Sequence, residues 1–163
     1  VNLARQKVEG YDFEINYTKS SPEYGRFSLR AAAFYLSFYG YTRTTTLLNQ
    51  AGQDALPRLR ASASLIWTRK AWTAGVTDYY IGPYGDFVRN GYEVDASQNT
   101  GLFIGYDLPP GRIPWTENTR VTIGVDNVFN QSPPLFDDGV GYDQRFIGRP
   151  EGRFWFVSLK KTY

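Results

Sequence analysis

Few side chains in this sequence could perform covalent or acid–base chemistry. Its 163 residues include no His and no Cys. Serine–histidine and cysteine–histidine nucleophiles, thiolate sites and histidine-bound zinc are therefore excluded within this chain, and carboxylate chemistry alone stays open. We expect no catalytic residue, no cofactor and no metal site, and we expect the protein not to be an enzyme.

Two groups of residues have the chemistry of a binding site. Asp137, Asp138 and Asp143 could give oxygen ligands to Ca²⁺, although an ordinary solvated loop explains these acids better. Between residues 82 and 98, aromatic rings and a guanidinium offer stacking surfaces, although loop packing explains them nearly as well. The candidate ligand-facing residues are Tyr84, Phe87, Arg89, Tyr92, Asp137, Asp138 and Asp143.

Charge and composition narrow the class of protein. The net charge is +2, with acidic and basic residues interspersed. The chain thus lacks the basic stripe of a nucleic-acid-binding protein, and we expect no nucleic-acid partner. The aromatic content of 17% favours strands. No apolar run approaches the about 20 residues of a membrane-spanning helix, but strands of a membrane barrel alternate apolar and polar residues, so the mean hydropathy of −0.43 does not exclude one.

Alternation of apolar and polar residues with period two predicts seven strands. In most of them one side is apolar and the other polar. The last strand places Trp155, Val157, Leu159 and Tyr163 on one side. The predicted strands are Val8 to Thr18, Arg26 to Tyr41, Arg58 to Thr68, Trp72 to Ile81, Asn99 to Leu108, Arg120 to Phe129 and Gly152 to Tyr163.

The links between these strands alternate in length. Short links at 19–25, 69–71 and 109–119 alternate with long ones at 42–57, 82–98 and 130–151. Membrane barrels have short periplasmic turns and long external loops. Trp67 and Trp72 flank the short Arg69-Lys70 turn, where a periplasmic aromatic girdle is expected. Tyrosines cluster at the other end of the strands; they are Tyr39, Tyr41, Tyr79, Tyr80 and Tyr84.

The alternation also predicts individual neighbours. A symmetric first turn places Glu14 opposite Arg30 on the lumen side. Asp78 falls on the apolar side of its strand, so we expect a bulge there or a position near the lipid headgroups. Five arginines are expected to face the lumen, and they could attract an anionic ligand: Arg26, Arg30, Arg58, Arg60 and Arg120. Pairing with Asp12, Glu14, Asp107, Asp126 or plug residues explains them better.

Three segments near the end carry a family resemblance: VTIGVDNVFNQSPP (121–134), GYD (141–143) and GRPEGRFWFVSLKKTY (148–163). They resemble the C-terminal end of TonB-dependent outer-membrane receptors, and residues 8–17, 56–67 and 72–84 are similar to their late strands. Lys161 departs from the usual apolar terminal pattern. The resemblance implies an all-β, antiparallel transmembrane β-barrel, of which residues 1–163 form about seven C-terminal strands out of about 22. The plug domain and the earlier strands are expected to lie outside this sequence.

The resemblance further implies a receptor in the outer membrane of Gram-negative bacteria. It implies energy-coupled uptake of a scarce nutrient, which could be a siderophore, cobalamin, haem or an oligosaccharide. The implied partners are the remaining barrel strands and plug domain, the periplasmic TonB protein acting through that plug, outer-membrane lipid and the barrel-assembly machinery. This machinery is expected to recognise Trp155, Val157, Leu159 and Tyr163.

Two other classes of protein fit the alternation. One is a small stand-alone outer-membrane barrel, either an adhesin or a structural protein. The other is a soluble carbohydrate-binding β-sandwich, which also alternates along its strands. Seven strands leave two open edges, and unpaired backbone groups are costly in hydrocarbon. We therefore expect the outer edges of Val8 to Thr18 and Gly152 to Tyr163 to pair with strands outside this sequence.

Overall fold

The protein, described by a computed structural model, is built from strands. The structure describes residues 5–42, 47–53, 56–85, 92–109, 117–136, 141–142 and 152–162. In this part of the chain no helix is long and apolar enough to cross a membrane. The strands are β1 (Arg5–Ser21), β2 (Gly25–Thr42), β3 (Leu59–Arg69), β4 (Trp72–Ile81), β5 (Tyr84–Gly85), β6 (Glu93–Val94), β7 (Ser97–Asp107), β8 (Thr119–Asp126), β9 (Leu135–Phe136), β10 (Gly141–Tyr142) and β11 (Phe154–Lys161).

The seven long strands form one antiparallel sheet in the order β1-β2-β3-β4-β7-β8-β11. They correspond to the seven strands predicted from alternation, so the all-β antiparallel fold is confirmed. Short links at 22–24, 70–71 and 108–118 alternate with long links at 43–58, 82–96 and 127–153. The predicted alternation of link lengths is therefore also confirmed. The remaining strands form two-residue pairs, β5 with β6 and β9 with β10, within the long links.

The sheet has an apolar and a polar face, because the register carries the alternation from strand to strand. One continuous row pairs Tyr17, Leu29, Leu65, Val76 and Leu102, and then Val125 and Trp155. We call this apolar side the outer face. The opposite side, the inner face, carries polar and charged side chains; its members include Asp12, Glu14, Asn16, Arg30, Arg60, Ser62, Thr77, Asn99, Asp107, Arg120 and Asp126.

The outer face has no protein layer packed against it in the described residues. Tyr11 is 61% exposed at one edge of the sheet and Val157 is 74% exposed at the other. A soluble sandwich requires a second sheet facing the apolar side of the first. The two-residue pairs β5–β6 and β9–β10 are too short to form one, and the sandwich is thus not supported.

The two ends of the sheet are open edges. β1 and β11 each have one neighbour and do not pair with each other. Within the described residues, no eighth strand joins the sheet. Neither the closure of a seven-stranded barrel nor the recruitment of an eighth strand from a long link is seen.

Two turns differ in position from those predicted. The first spans residues 22–24, so Glu14 faces Ala32, and Arg30 faces Asn16. The predicted pairing of Glu14 with Arg30 is therefore wrong by two residues, although both lie on the inner face. The second turn is Lys70-Ala71 rather than Arg69-Lys70, with Lys70 at a φ of 52°. The exact turn residues set the register of a hairpin, and alternation alone does not identify them.

A β-bulge interrupts the β1–β2 pair at Ser37. Gly10 pairs with Leu36 and Glu9 with Phe38, which leaves Ser37 as an extra residue in β2. A bulge of this kind changes which residues of the longer strand face each side. No register shift occurs beside Asp78, so the bulge expected there is wrong.

The sixth long strand ends earlier than predicted. β8 ends at Asp126 instead of continuing to Phe129. Asn127 and Asn130 adopt φ values of 51° and 54°, and this left-handed conformation cannot continue a strand. Asparagine tolerates it better than most residues do.

Candidate membrane surface and ligand groove

Aromatic side chains border the outer face at both ends. Next to the short links lie Tyr17, Phe27, Trp67, Trp72 and Tyr106, and next to the long links lie Tyr11, Tyr35 and Tyr80. Leu, Ile, Val and Ala occupy most outer positions between the two bands, including Ile15, Ala31, Ala63, Leu65, Val76 and Ile104. Two aromatic girdles around an aliphatic band match the lipid-facing surface of a membrane barrel.

Trp67 and Trp72 lie on the outer face, as predicted, but are not directly opposite each other. Trp67 pairs with Ala74, and Trp72 pairs with Arg69. The Trp67 indole donates a hydrogen bond to the carbonyl oxygen of Tyr24 at 2.7 Å. The Trp72 ring lies 4.5 Å from that of Tyr106. An apolar ring whose N–H reaches a polar partner suits the membrane–water boundary.

Asp78 forms a polar cluster on the outer face near the long links. Its carboxylate accepts hydrogen bonds from the Thr100 hydroxyl at 2.6 Å and from the Gln98 amide at 3.0 Å. Tyr80, two residues further along β4, belongs to the aromatic band at this end. Asp78 is in register with Ala63 of the aliphatic band, so its position at the headgroup level stays a prediction. The hydrogen bonds reduce the cost of the charge.

The predicted assembly residues on β11 share the outer face. Trp155, Val157 and Leu159 are 66, 74 and 68% exposed, and they pair with Val125, Ile123 and Val121. Tyr163 lies outside the described residues. The three described residues thus present an apolar strip along an edge strand.

The inner face contains a groove of about 910 Å³ that runs from β1 across the sheet to the end of β8. Its lining is rich in uncharged hydrogen-bonding groups, with three carboxylates and one guanidinium. The charged residues of the lining are Asp12, Glu14, Asp126 and Arg60. The groove lining is therefore polar and weakly acidic, in contrast to the apolar outer face.

One ion pair expected from the sequence is present on the inner face. Arg120 donates to both carboxylate oxygens of Asp107, each at 2.6 Å. The two residues are cross-strand partners on β7 and β8. This forked geometry fixes both groups more firmly than a single contact would. It also joins two strands near the short 108–118 link.

Phenylalanine rings cover glycines on the inner face. Gly75 pairs with Phe103, and Gly124 pairs with Phe156. A Cβ built at either glycine would collide with the partner's ring. The absence of a side chain therefore allows each ring to lie flat on the neighbouring strand, an arrangement known to support glycines in sheets.

The long links are tied to one another. The Gly85 amide donates to the Gly52 carbonyl at 2.7 Å, which joins the second long link to the first. The Tyr92 hydroxyl lies 3.3 Å from the Leu135 carbonyl oxygen, which joins it to the third. Tyr84 is only 4% exposed and packs against Val94. Of the candidate ligand residues, Tyr84 is thus a packing residue of the link, while Tyr92 remains partly accessible.

The other loop candidates lie outside the described residues. These are Phe87, Arg89, Asp137, Asp138 and Asp143. Where the structure describes the chain, no three carboxylates are grouped in a way that could hold a metal ion. The Ca²⁺ hypothesis for the aspartates of the last link remains an expectation from the sequence.

The two asparagines of the Asn127-Val128-Phe129-Asn130 segment hydrogen-bond to backbone groups near the start and at the end of the last long link. The Asn127 side chain accepts a hydrogen bond from the Gln131 amide at 2.9 Å and donates to the Gln131 carbonyl at 2.8 Å. The Asn130 side chain accepts one from the Arg153 amide at 2.9 Å, just before β11. This sequence motif therefore has a structural role: it ends β8 and positions the start of the last strand.

One feature of the inner face was not predicted from the sequence. Above the bulge, Val8 pairs with Tyr39 and Gln6 pairs with Tyr41. Because β1 continues its regular alternation, these four residues lie on the inner face. Regular alternation from Tyr35 would instead place Tyr39 and Tyr41 on the outer face. The only hint in the sequence was that residues 34–41 are largely apolar on both sides.

The comparison with protein families gives one match. A family described as TonB dependent receptor-like, beta-barrel, matches residues 1–128. No curated protein and no solved structure matches the chain.

Proposed function

Because the chain belongs to the TonB-dependent receptor-like β-barrel family, whose members are outer-membrane receptors and transporters rather than enzymes, we propose that it forms the C-terminal part of a receptor that takes up a scarce nutrient. Uptake is driven from the periplasm through a plug domain encoded outside these residues. The long links face the cell exterior, and the short ones face the periplasm.

The proposal rests on the apolar character of the outer face. It is a largely apolar surface that spans all seven strands, interrupted by the Asp78 cluster, and on the first strands it is aliphatic in the middle and aromatic at both ends. A soluble protein that exposed a surface of this extent to water would aggregate. In a membrane, lipid covers such a surface. The polar inner face then lines an aqueous interior that accommodates the plug and the passing ligand.

The two open edges support a larger barrel over a small stand-alone one. An adhesin or structural barrel made of these residues alone would need β1 and β11 to meet. Instead each has one neighbour. In the proposed receptor both edges pair with the preceding strands of the same barrel, which leaves no unpaired backbone groups in the hydrocarbon.

Energy-dependent uptake tests the function. The complete gene product, expressed in a host lacking its own receptors, is offered four probes: a ferric siderophore, cyanocobalamin, haem and a mixture of neutral oligosaccharides. We expect accumulation of one probe, abolished by a protonophore or by deletion of the periplasmic coupling protein. Accumulation that persists after both treatments indicates a passive pore, and no accumulation of any probe contradicts the receptor function.

We further propose that the barrel-assembly machinery recognises β11 through Trp155, Val157, Leu159 and Tyr163. The strip formed by the first three is highly exposed at an edge strand. Deleting Tyr163 is expected to lower the amount of folded barrel several-fold while leaving the affinity of the remaining receptors unchanged. Folded barrel is measured as heat-modifiable protein in outer-membrane fractions. Normal levels in the variant would remove Tyr163 from this role.

A further inference from the structure

The first hairpin extends past the rest of the sheet at its external end. β2 pairs with β3 only as far as Tyr35, yet β1 and β2 remain paired up to Arg5 and Thr42. We call this extension, residues 5–10 with residues 36–42, the arm. It continues the inner face beyond the groove, towards the exterior.

The bulge determines which side chains of the arm face inward. Without the extra residue Ser37, the regular alternation of β2 would place Tyr39 and Tyr41 on the outer face with Tyr35. With it, Tyr39 and Tyr41 pair with Val8 and Gln6 on the inner face. Side-chain contacts agree with this assignment. The Gln6 amide lies 3.3 Å from the Tyr39 hydroxyl on one side, whereas the Lys7 ammonium sits over the Phe38 ring on the other.

The first long link holds the bulge in place. The Ser37 carbonyl oxygen accepts hydrogen bonds from the Asn49 amide and the Arg58 guanidinium, both at 3.1 Å. The Asn49 side chain also accepts the Tyr39 amide at 3.2 Å, and the Leu36 amide donates to the Arg58 carbonyl at 2.7 Å. These hydrogen bonds give partners to backbone groups of β2 beyond the point where its pairing with β3 ends. The inward tyrosines are therefore carried by a preorganised strand and not by a loose loop.

The inner face of the arm adjoins the groove along β1 and β2, and both regions carry exposed aromatic side chains. Val8 and Tyr41 are each 53% exposed, and Tyr79, on the same face at the groove, is 60% exposed. Among the described lining residues of the groove, three carboxylates stand against one guanidinium. With Arg30 beside Glu14 on the same face, the groove still carries more negative than positive charge, which favours an uncharged ligand over an anionic one.

We propose that this surface, Tyr39, Tyr41 and Tyr79 together with Asp12 and Glu14, binds an uncharged, polyhydroxylated ligand, that is, a neutral oligosaccharide. The apolar faces of sugar rings stack on exposed tyrosines. Sugar hydroxyls donate to the carboxylates, which accept strong hydrogen bonds and need no countercharge on the ligand. The inference rests on the proposed receptor function and assigns the ligand class within it.

An array of neutral oligosaccharides, with their sulfated and uronic-acid counterparts, tests the ligand class. The full-length receptor in detergent is applied to the array, and the affinity for the best neutral sugar is measured by calorimetry. We expect binding to neutral sugars and weaker or no binding to the anionic ones. Tyr41→Ala is expected to weaken that affinity about tenfold, while Tyr41→Phe, which keeps the ring, stays within about twofold.

Tyr35→Ala is the matched control. It removes an exposed tyrosine from the same strand, but from the outer face, so we expect unchanged sugar affinity. Folded receptor is quantified by heat modifiability for every variant. Preference for the anionic sugars, or equal losses in Tyr35→Ala and Tyr41→Ala, would overturn the inference. Energy-dependent uptake of haem or a ferric siderophore by a receptor that ignores the array would also overturn it, yet would leave the receptor function standing.

Discussion

At the scale of single residues, glycines on the inner face leave room for the rings of neighbouring strands. Gly124 lies beneath the Phe156 ring, and a Cβ at this position would collide with that ring and come within 3.0 Å of the Leu102 carbonyl oxygen. Gly85 has the opposite surroundings, since its nearest neighbour would be 3.8 Å away. The same substitution should therefore have different effects at the two positions.

Gly124→Ala is predicted to destabilise the full-length barrel by about 1–3 kcal/mol, because the ring must move out of its place. Gly85→Ala should change the free energy of unfolding by less than about 0.5 kcal/mol. Urea unfolding of each variant in lipid vesicles measures the difference. If the collision is the cause, adding Phe156→Ala to Gly124→Ala should cost less than the sum of the two single changes.

The Asp107–Arg120 pair is forked but well hydrated. Its side chains retain 45% and 43% of their exposure, so the gain from pairing is largely offset by solvent screening. Asp107→Asn is predicted to cost less than about 1 kcal/mol of stability, and less again in high salt. A double-mutant cycle with Arg120→Gln in the full-length barrel, measured at low and high salt, checks both statements. A loss of several kcal/mol would show a desolvated pair instead.

At the scale of strands, the two faces of β11 should respond in opposite ways to the same charge. Val157 lies on the outer face opposite Ile123, and Ser158 lies on the inner face opposite Thr122. Adjacent residues thus meet two different solvents, lipid on one side and the aqueous interior on the other.

Val157→Arg is predicted to destabilise the folded barrel by about 2–4 kcal/mol if its depth is near the bilayer centre. The neighbouring Ser158→Arg should have little effect, because an arginine there remains in water. Unfolding of the full-length barrel in lipid vesicles compares the two variants directly. Equal effects at both positions would contradict the assignment of the outer face to lipid.

At the scale of the whole molecule, the seven-stranded sheet does not close on itself. β1 and β11 lie at opposite edges, and each would leave a row of backbone groups unpaired in hydrocarbon, at several kcal/mol for each group. We predict that residues 1–163 expressed alone do not yield a heat-resistant barrel, whereas the complete gene product does. Electrophoresis of unboiled samples distinguishes the two states. A stable, monomeric barrel from these residues alone would restore the stand-alone alternative.

Much of this architecture was predictable from the sequence because strand alternation is a local property. Tyr11, Phe13 and Ile15 alternate with Asp12 and Glu14, and that pattern identifies a two-faced strand without any knowledge of its neighbours. The same holds for Trp155, Val157 and Leu159. The seven strands and the division into two faces were accessible in this way, whereas the family was indicated by the resemblance of residues 121–163 to known receptors.

The features that depend on pairing between strands were decided only by the tertiary structure. Between Phe34 and Tyr41 both sides of the strand are largely apolar, so no polarity contrast shows where the extra residue enters. Hydrogen bonds from Asn49 and Arg58, which are distant in sequence, hold the bulge at Ser37 and turn Tyr39 and Tyr41 inward. Periodicity gives the two sides of a strand, but which side faces the interior after a bulge depends on its partners across the sheet.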